Sequence, residues 1–270
     1  MRIYHNISAV FANRQLYNTN LELSRSIEKL SSGVRINRAS DDPAGLAISE
    51  KMRSQIRGLY QAGRNSEDAI SFIQTAEGAL QEVHSILHRI RELAIQSANG
   101  IYTTEDRAQM EVEVSQLLQE IDRISTSTEF NKFKILNGSR VSIQFHIGAN
   151  ADQSVKMMVG TMNTQALGIK AITLSTPESS NSALSYVDKA VNTVSFQRAQ
   201  LGASQARLEH TVKSLAVAHE NMLAAESRVR DTDFASEIIQ FTKNKLLMQT
   251  GTAMLAQANL NPQTVLELLK

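Results

Sequence analysis

Cysteine and tryptophan are absent from this 270-residue chain, and aromatic residues make up only 5% of it. The absence of cysteine excludes disulfides, thiolate metal sites and cysteine nucleophiles. A compact domain of this size usually fills its interior with more large rings. The apolar residues here are mostly Leu, Ile, Val, Ala and Met, which suit the narrow interfaces between packed helices.

A strong charge of one sign and long apolar runs are also missing. The formal net charge is +1, so no overall field favours nucleic acid or an anionic membrane. No stretch approaches the roughly 18–20 apolar residues of a membrane span. The N-terminal sequence lacks the apolar core of a cleaved signal peptide, so any export would use another route. We therefore expect neither nucleic-acid binding nor membrane insertion.

Catalytic patterns are missing as well. Neither of the common glycine-rich phosphate-binding motifs occurs, and no serine, histidine and acid arrangement stands out. The sequence therefore predicts a protein that is not an enzyme, with no catalytic residues, no metal site and no cofactor.

Two pairs of polar residues have a chemical and a structural interpretation. His84 and His88 have the spacing of a helical zinc pair, but Ser85 stands where metalloproteases place a glutamate, and two ligands alone make no zinc site. We predict that both histidines lie on a solvent-exposed face. Asp41 and Asp42 are adjacent carboxylates, as in some acid–base sites. Their position just before a proline favours capping of a helix N-terminus instead.

The prolines divide the chain. Pro43, Pro177 and Pro262 each follow a residue of a type that caps helices well. Proline suits the first helical turn because its missing N–H would have no partner there. All three prolines are therefore predicted helix starts.

Apolar residues spaced alternately four and three apart predict long helices that pack along a seam. The first helix is predicted over residues 44–98, with the seam Ala69, Ile73, Ala76, Leu80, Val83, Leu87, Ile90 and Ala94. The second begins after Thr103, with the seam Met110, Val114, Leu117, Ile121 and Ile124. The third spans about 180–229, and its seam is Val187, Val191, Val194, Arg198, Leu201, Gln205, Leu208, Val212, Leu215, His219 and Met222.

A short β region interrupts the helical pattern. Asn137-Gly138 is typical of a hairpin turn, and apolar residues then alternate with polar ones from Val141 to Ile147 and, after a turn predicted at Gly148–Asp152, from Val155 to Val159. The predicted fold is mainly α: a long antiparallel helical bundle with coiled coils and a small β hairpin region at one end.

The two terminal segments lack a core of their own. Between Ile238 and Leu266 the only charges are Lys243 and Lys245, so this segment is too polar to span a bilayer and too apolar to lie free in water. Burial against helices of other subunits satisfies both conditions. The predicted polymerisation residues are Leu23, Ile27, Leu30, Val34, Leu247, Leu255, Val265, Leu266, Leu268 and Leu269.

These segments also carry a family resemblance. LSSGVRINRASDDPAGLAISEKMRSQIRGL at 30–59 resembles the N-terminal signature of bacterial flagellins. RIRELAIQSANG at 89–100, EIDRIS at 120–125 and EFNKFKILNG at 129–138 extend the resemblance. It continues to the C-terminus in AAESRVRDTDFASE at 224–237, GTAMLAQAN at 251–259 and the final VLELL.

The resemblance implies a structural subunit that polymerises into the flagellar filament for motility. Residues 1–36 and 230–270 would form coiled-coil helices of the inner tube. Residues 37–179, with the β hairpin, and the long third helix at 180–229 would form the outer shell. The alternative is a coiled-coil adaptor or an adhesin-type binding module, which would give a finite oligomer instead of an open-ended filament.

Partners and location are also implied by the resemblance. Besides further copies of the chain, the partners would be an export chaperone bound to the C-terminal helix, hook-junction and filament-cap proteins, and sheath proteins. Arg89, Leu93 and Glu113 match positions that a receptor of vertebrate innate immunity reads in many flagellins; the alternative is that they contact the next subunit along the filament. FHIGANADQ and NGIYTTEDR look most like the short flagellins of spirochaetes. This favours export by the flagellar secretion system to a periplasmic filament over an extracellular one.

Overall fold

Helices dominate the protein. The computed structural model describes residues 5–138 and 142–268, with side chains through residue 260. Within these residues five helices occur: α1 (Ile7–Ser32), α2 (Pro43–Ala98), α3 (Thr104–Ser127), α4 (Pro177–Arg230) and α5 (Phe234–Leu268). The predicted class, mainly α with a small β region, is confirmed.

The chain forms two compact units. The terminal unit comprises residues 1–54 and 221–270, and the central unit comprises residues 55–220. α1 and α5 belong to the terminal unit and α3 to the central unit, while α2 and α4 contribute to both.

The starts of α2, α3 and α4 follow from local sequence. α2 and α4 begin at Pro43 and Pro177, as predicted. α3 begins after Thr103, whose hydroxyl accepts a hydrogen bond from the Asp106 N–H at 3.2 Å. The Asp106 carboxylate in turn accepts from the Thr103 N–H at 2.9 Å. This reciprocal cap satisfies N–H groups that have no partner inside the helix. The bond from the Thr103 N–H also lowers the pKa of Asp106.

The predicted helix start at Pro262 is wrong, because α5 continues through this residue to Leu268. The prediction assumed that proline is tolerated only where no carbonyl requires its N–H. In α5 the carbonyl that loses its donor belongs to Ala258, four residues earlier. That carbonyl accepts a hydrogen bond from the Asn6 side chain at 2.8 Å.

The core of the central unit lies between α2, α3 and α4. All eight seam residues predicted for α2 are fully buried. In α3, Leu117 is half-buried while the other four predicted residues are buried. In α4, Val187, Val194, Leu201 and Leu208 are buried, whereas the other seven predicted residues are half-buried. The seven-residue period therefore identified the packed face of each of these helices.

Two small antiparallel strand pairs complete the central unit. β1 (Glu129–Phe130) pairs with β2 (Phe133–Lys134), and β3 (Ser142–His146) pairs with β4 (Ser154–Met158). The predicted alternation is present in β4, where Val155 and Met157 are buried while Lys156 is exposed. Val141, which was predicted to begin this alternation, lies outside the described residues.

The hairpin turn predicted at Asn137-Gly138 is wrong for the described strands, because β2 pairs back to β1 and not onward to β3. The tight turn is formed by Asn131 and Lys132, which both have positive φ values, 49° and 65°. After β2 the chain turns inward, and Leu136 is fully buried. The Leu136 carbonyl accepts from the Met162 N–H at 2.9 Å, so this segment is held by a later part of the chain.

The two histidines of α2 have different environments. His88 is exposed, as predicted, but His84 is half-buried, so the prediction of a solvent-exposed face is wrong for His84. Their Nε2 atoms lie 3.0 Å apart. Among the residues that the structure describes, no group of three or more His, Cys, Asp or Glu side chains could hold a metal ion.

We expect the half-buried His84 to make stability depend on pH. Burial lowers its pKa, and the positive charges of His88 and Arg198 lower it further. The unfolded chain, with an ordinary histidine pKa of about 6.5, then binds the proton more readily than the folded chain. Neutral His84 therefore contributes to the stability of the folded chain above about pH 6.5, and this contribution is lost as the pH falls below that value.

Urea unfolding of the monomeric chain at pH 7.5 and pH 5.5 measures this effect. His84→Gln should reduce the loss of stability between the two pH values. His210→Gln, a change at an exposed histidine of α4, serves as the control and should leave the loss as in the wild type. An equal loss in wild type and His84→Gln would contradict the prediction.

Candidate assembly surface

α1 and α5 pack against each other in antiparallel directions within the terminal unit. Leu16 of α1 lies close to Gly251 of α5, where a Cβ atom would be 3.4 Å from Leu16 Cδ1. Lys29 near the end of α1 forms an ion pair of 3.7 Å with Glu237 near the start of α5. Because glycine has no side chain, the two helices can approach closely at this point.

A bridge of main-chain hydrogen bonds joins the end of α1 to the segment before α5. Gly33 ends α1 with a φ of 73°, a left-handed conformation that favours glycine. Its carbonyl accepts from the Thr232 N–H at 3.0 Å. The Arg35 N–H donates to the Arg230 carbonyl at 2.7 Å. These bonds fix where the two distant segments enter the α1–α5 pair.

The adjacent carboxylates Asp41 and Asp42 have structural roles. Asp42 Oδ1 accepts from the Gly45 N–H at 2.9 Å and so caps α2, as predicted. Asp41 does not cap α2. Its Oδ2 accepts from the Arg38 N–H at 2.9 Å, which closes the preceding loop and lowers the pKa of Asp41. A Cβ atom at Gly45 would overlap the Asp42 carboxylate, so the cap requires glycine there.

An ion pair links the first part of α2 to the end of α4 inside the terminal unit. Arg230 Nη1 lies 2.6 Å from Glu50 Oε1, and the Arg230 side chain is only 16% exposed. The hydrogen bond from Arg230 lowers the pKa of Glu50. No sequence pattern signalled this pair, because its partners lie 180 positions apart.

Most apolar side chains of α1 and α5 remain at the surface. Up to residue 260, only Thr19, Leu23, Ser26 and Asn244 are buried in these two helices. Thirteen large apolar residues are between 46 and 69% exposed: Ile7, Val10, Phe11, Tyr17, Leu21 and Ile27 of α1, and Phe234, Ile238, Ile239, Leu246, Leu247, Met254 and Leu260 of α5. So many exposed large apolar side chains on one pair of helices are typical of protein–protein contact.

The predicted polymerisation residues occupy different environments. Leu23 is buried within the terminal unit, and Leu30, Val34 and Leu255 are half-buried. Ile27 and Leu247 are 50% and 46% exposed. Three further residues lie on the described backbone of α5, namely Val265, Leu266 and Leu268. Leu269 lies outside the described residues.

Arg89, Leu93 and Glu113 come together in the central unit. Arg89 Nε lies 2.8 Å from Glu113 Oε1 and its Nη1 lies 3.3 Å from Glu92 Oε2. Leu93 is only 2% exposed, so it packs in the core and is not available as an exposed apolar anchor. The surface at this position is therefore mainly polar.

No helix in the part of the chain that the structure describes is both long enough and apolar enough to cross a membrane.

Two family descriptions match the chain. The bacterial flagellin N-terminal helical region matches residues 3–141, and the bacterial flagellin C-terminal helical region matches residues 184–269. The chain belongs to the bacterial flagellin family. The resemblance inferred from its motifs is thereby confirmed.

Known flagellins are similar along their full length. This flagellin is 52% identical to the flagellar filament 33 kDa core protein of Treponema phagedenis over 286 residues, which covers 100% of both chains. It is 47% identical to a flagellin of Bacillus subtilis over 306 residues, again with 100% of both chains covered. The crystal structure of Bacillus cereus flagellin matches 60% of this chain and 94% of its own, at 29% identity and a TM-score of 0.51.

The function predicted from sequence, a structural subunit of the flagellar filament, is confirmed. The comparisons point to a structural family, and they give no support to the alternative of an adaptor or adhesin. The flagellin polymerises with copies of itself.

Proposed function

We propose that α1 and α5 carry the main contacts between subunits of this flagellin in the inner tube of the filament. In this proposal residues 1–36 and 230–270 form the tube, and residues 37–179 and 180–229 form the outer shell. The observation that carries it is the exposure of thirteen large apolar side chains on α1 and α5. Ile27 and Leu247 would contact neighbouring subunits, whereas Leu23 would hold α1 against α5 in its own subunit.

The proposal predicts that assembly stabilises the terminal helices strongly. α1 and α5 bury few residues against each other, and isolated helices are marginal in water. In the monomer we expect rapid hydrogen exchange at the amides of Leu247 and Leu255, and in the filament slow exchange, because folding of these segments is coupled to polymerisation. The Leu87 amide in the central unit is the internal control and should be protected in both states. Equal protection of Leu247 and Leu255 in both states would contradict the proposal.

We also propose that the flagellar secretion system exports this flagellin and that its filament lies in the periplasm. The motifs similar to those of spirochaete flagellins and the full-length similarity to the Treponema phagedenis protein support this location. An external filament is the alternative, which the similarity to the Bacillus subtilis flagellin keeps open.

An amine-reactive probe that cannot cross membranes distinguishes the two locations. Lys156 of β4 is exposed and should react only after the outer membrane of the cells has been disrupted. A Lys156→Arg variant gives the background from other lysines. Labelling of Lys156 in intact cells would exclude the periplasmic location and leave the family assignment unchanged.

Further partners belong to the same proposal. The C-terminal helix would bind the export chaperone, and the filament ends would contact hook-junction and filament-cap proteins. Sheath proteins would cover the outer shell. For Arg89 and Glu113 we favour contact with the next subunit over binding of an innate immune receptor, because Leu93 is buried and leaves a polar surface.

A further inference from the structure

α5 lacks one of its internal hydrogen bonds at Pro262. In an α-helix the N–H of each residue donates to the carbonyl four residues earlier. Proline has no N–H, so Pro262 cannot donate to the carbonyl of Ala258. A carbonyl that is shielded from water and left without a donor costs free energy. Ala258 is half-buried, so a donor from elsewhere in the chain would stabilise its carbonyl.

Asn6 supplies that partner from the other end of the chain. Its Nδ2 donates to the Ala258 carbonyl at 2.8 Å. Its Oδ1 accepts from the Ala9 N–H at 3.1 Å and so caps the N-terminus of α1. One amide side chain thus satisfies the first turn of α1 and the carbonyl that Pro262 leaves free in α5. Aspartate could accept from Ala9 but has no donor for Ala258.

The apolar pattern of α5 does not fix its alignment with α1. Its exposed apolar residues include the neighbouring pairs Ile238–Ile239 and Leu246–Leu247, and so they do not form one narrow stripe. A helix that is apolar on several sides can pack in more than one register. A hydrogen bond requires both distance and direction, so it discriminates between registers more sharply than apolar contact does.

We propose that Asn6 and Pro262 act together as a register lock between α1 and α5, in which the proline leaves one carbonyl free for the asparagine of the opposite terminus. Asn6 is a positioning residue: it holds the two helices in the alignment that presents their apolar surface to neighbouring subunits. The effect on filament growth rests on the proposed function of α1 and α5, whereas the hydrogen bond can be tested independently of growth.

A double-mutant cycle tests the lock in the full-length protein. Asn6→Asp keeps the cap but removes the donor, and we expect it to raise the critical concentration for seeded growth about tenfold, as loss of one hydrogen bond to a half-buried carbonyl implies. Pro262→Ala restores the N–H to α5, so the Ala258 carbonyl no longer needs Asn6. In the Pro262→Ala background, Asn6→Asp should therefore change growth less than twofold or so. Asn13→Asp, which adds the same charge at an exposed site of α1, should show no such dependence on residue 262.

Hydrogen exchange of residues 252–260 in filaments provides the second measurement. Asn6→Asp should accelerate exchange there when Pro262 is present and not in the Pro262→Ala background. If Asn6→Asp is equally harmful in both backgrounds, by growth and by exchange, the lock is refuted and the assembly role of α1 and α5 stands. If exchange depends on residue 262 while growth of Asn6→Asp equals that of the wild type, the hydrogen bond forms but does not set the alignment used in assembly, and the register lock is refuted without bearing on the apolar contacts of α1 and α5. Rescue by Pro262→Ala remains a valid result even if Asn6→Asp alone does not assemble.

Discussion

Removal of residues 263–270 is expected to abolish filament growth while leaving the central unit folded. The removed segment carries Val265, Leu266 and Leu268 on the last turns of α5, followed by Leu269. Burial of one such aliphatic side chain contributes roughly 1.5–3 kcal/mol. If the filament buries them as proposed, the truncated subunit loses several such contributions at once. Loss of even a fraction of this free energy would raise the critical concentration for filament growth above the protein concentrations that can be prepared.

Two measurements separate loss of assembly from loss of folding. Seeded growth, followed by light scattering and electron microscopy, should show no elongation by the truncated protein. Its urea unfolding should retain the main transition, since the core of the central unit lies within residues 55–220.

Substitutions within the same segment provide a matched comparison. Serine at the four apolar positions should reproduce the defect, whereas serine at Gln263 and Thr264 should leave growth largely intact. Normal filament growth by the truncated protein would show that the last turns of α5 are not assembly contacts.

The central unit could be predicted well because one physical pattern dominates it. The seam from Ala69 to Ala94 repeats every seven residues, and all eight of its members are buried. The starts of α2, α3 and α4 also depend on residues that lie within one helical turn of each other. Sequence reasoning is strongest where the residues that determine a structure are close in the chain.

The incorrect predictions concern segments that are bonded to distant parts of the chain. Pro262 was predicted to start a helix, but α5 continues through it, and the Ala258 carbonyl that loses its donor accepts from Asn6 across 252 positions of the chain. The turn between β1 and β2 lies at Asn131–Lys132, although lysine rarely adopts a positive φ, and β2 does not pair with β3 across Asn137-Gly138. The Ala258 carbonyl accepts from Asn6 and the Leu136 carbonyl from the Met162 N–H, so near both places a distant segment supplies a hydrogen bond that the local sequence does not indicate.

The sequence indicated which two segments carry the candidate assembly surface, but not which side chains of those segments are exposed. The scarcity of charge in residues 238–266 predicts a helix that is buried against other subunits. Because apolar residues occur on several sides of α5, no periodicity indicated that Leu247 would be exposed and Leu255 half-buried. Similarly, Leu93 shares a helix face with Arg89 in sequence, but the packing of the central unit buries it.

Arg107 shows how a residue with an ordinary pattern can have a structural role that only the fold determines. It lies in the first turn of α3, within the polar sequence TEDR, where an exposed side chain is the usual expectation. It is instead 7% exposed. Its Nε donates to the Ser97 carbonyl at 3.0 Å and its Nη2 to the Asn99 carbonyl at 3.1 Å. Both carbonyls lie at the C-terminal end of α2, where the helix itself offers them no donor.

Replacing Arg107 with methionine should therefore destabilise the central unit by about 2 kcal/mol, because the fully buried Ser97 carbonyl loses its charged donor while apolar packing is largely kept. Arg107→Lys retains a positive donor but not the geometry that reaches two carbonyls, so it should restore only part of the loss. Arg123→Met is the matched control on α3: the Arg123 side chain is 62% exposed and pairs with Glu120 on the surface, so its removal should have little effect. Urea unfolding of the monomeric proteins compares the three variants, and faster hydrogen exchange should appear first in the last turn of α2. If Arg107→Met and Arg123→Met lower the free energy of unfolding equally, Arg107 does not cap α2.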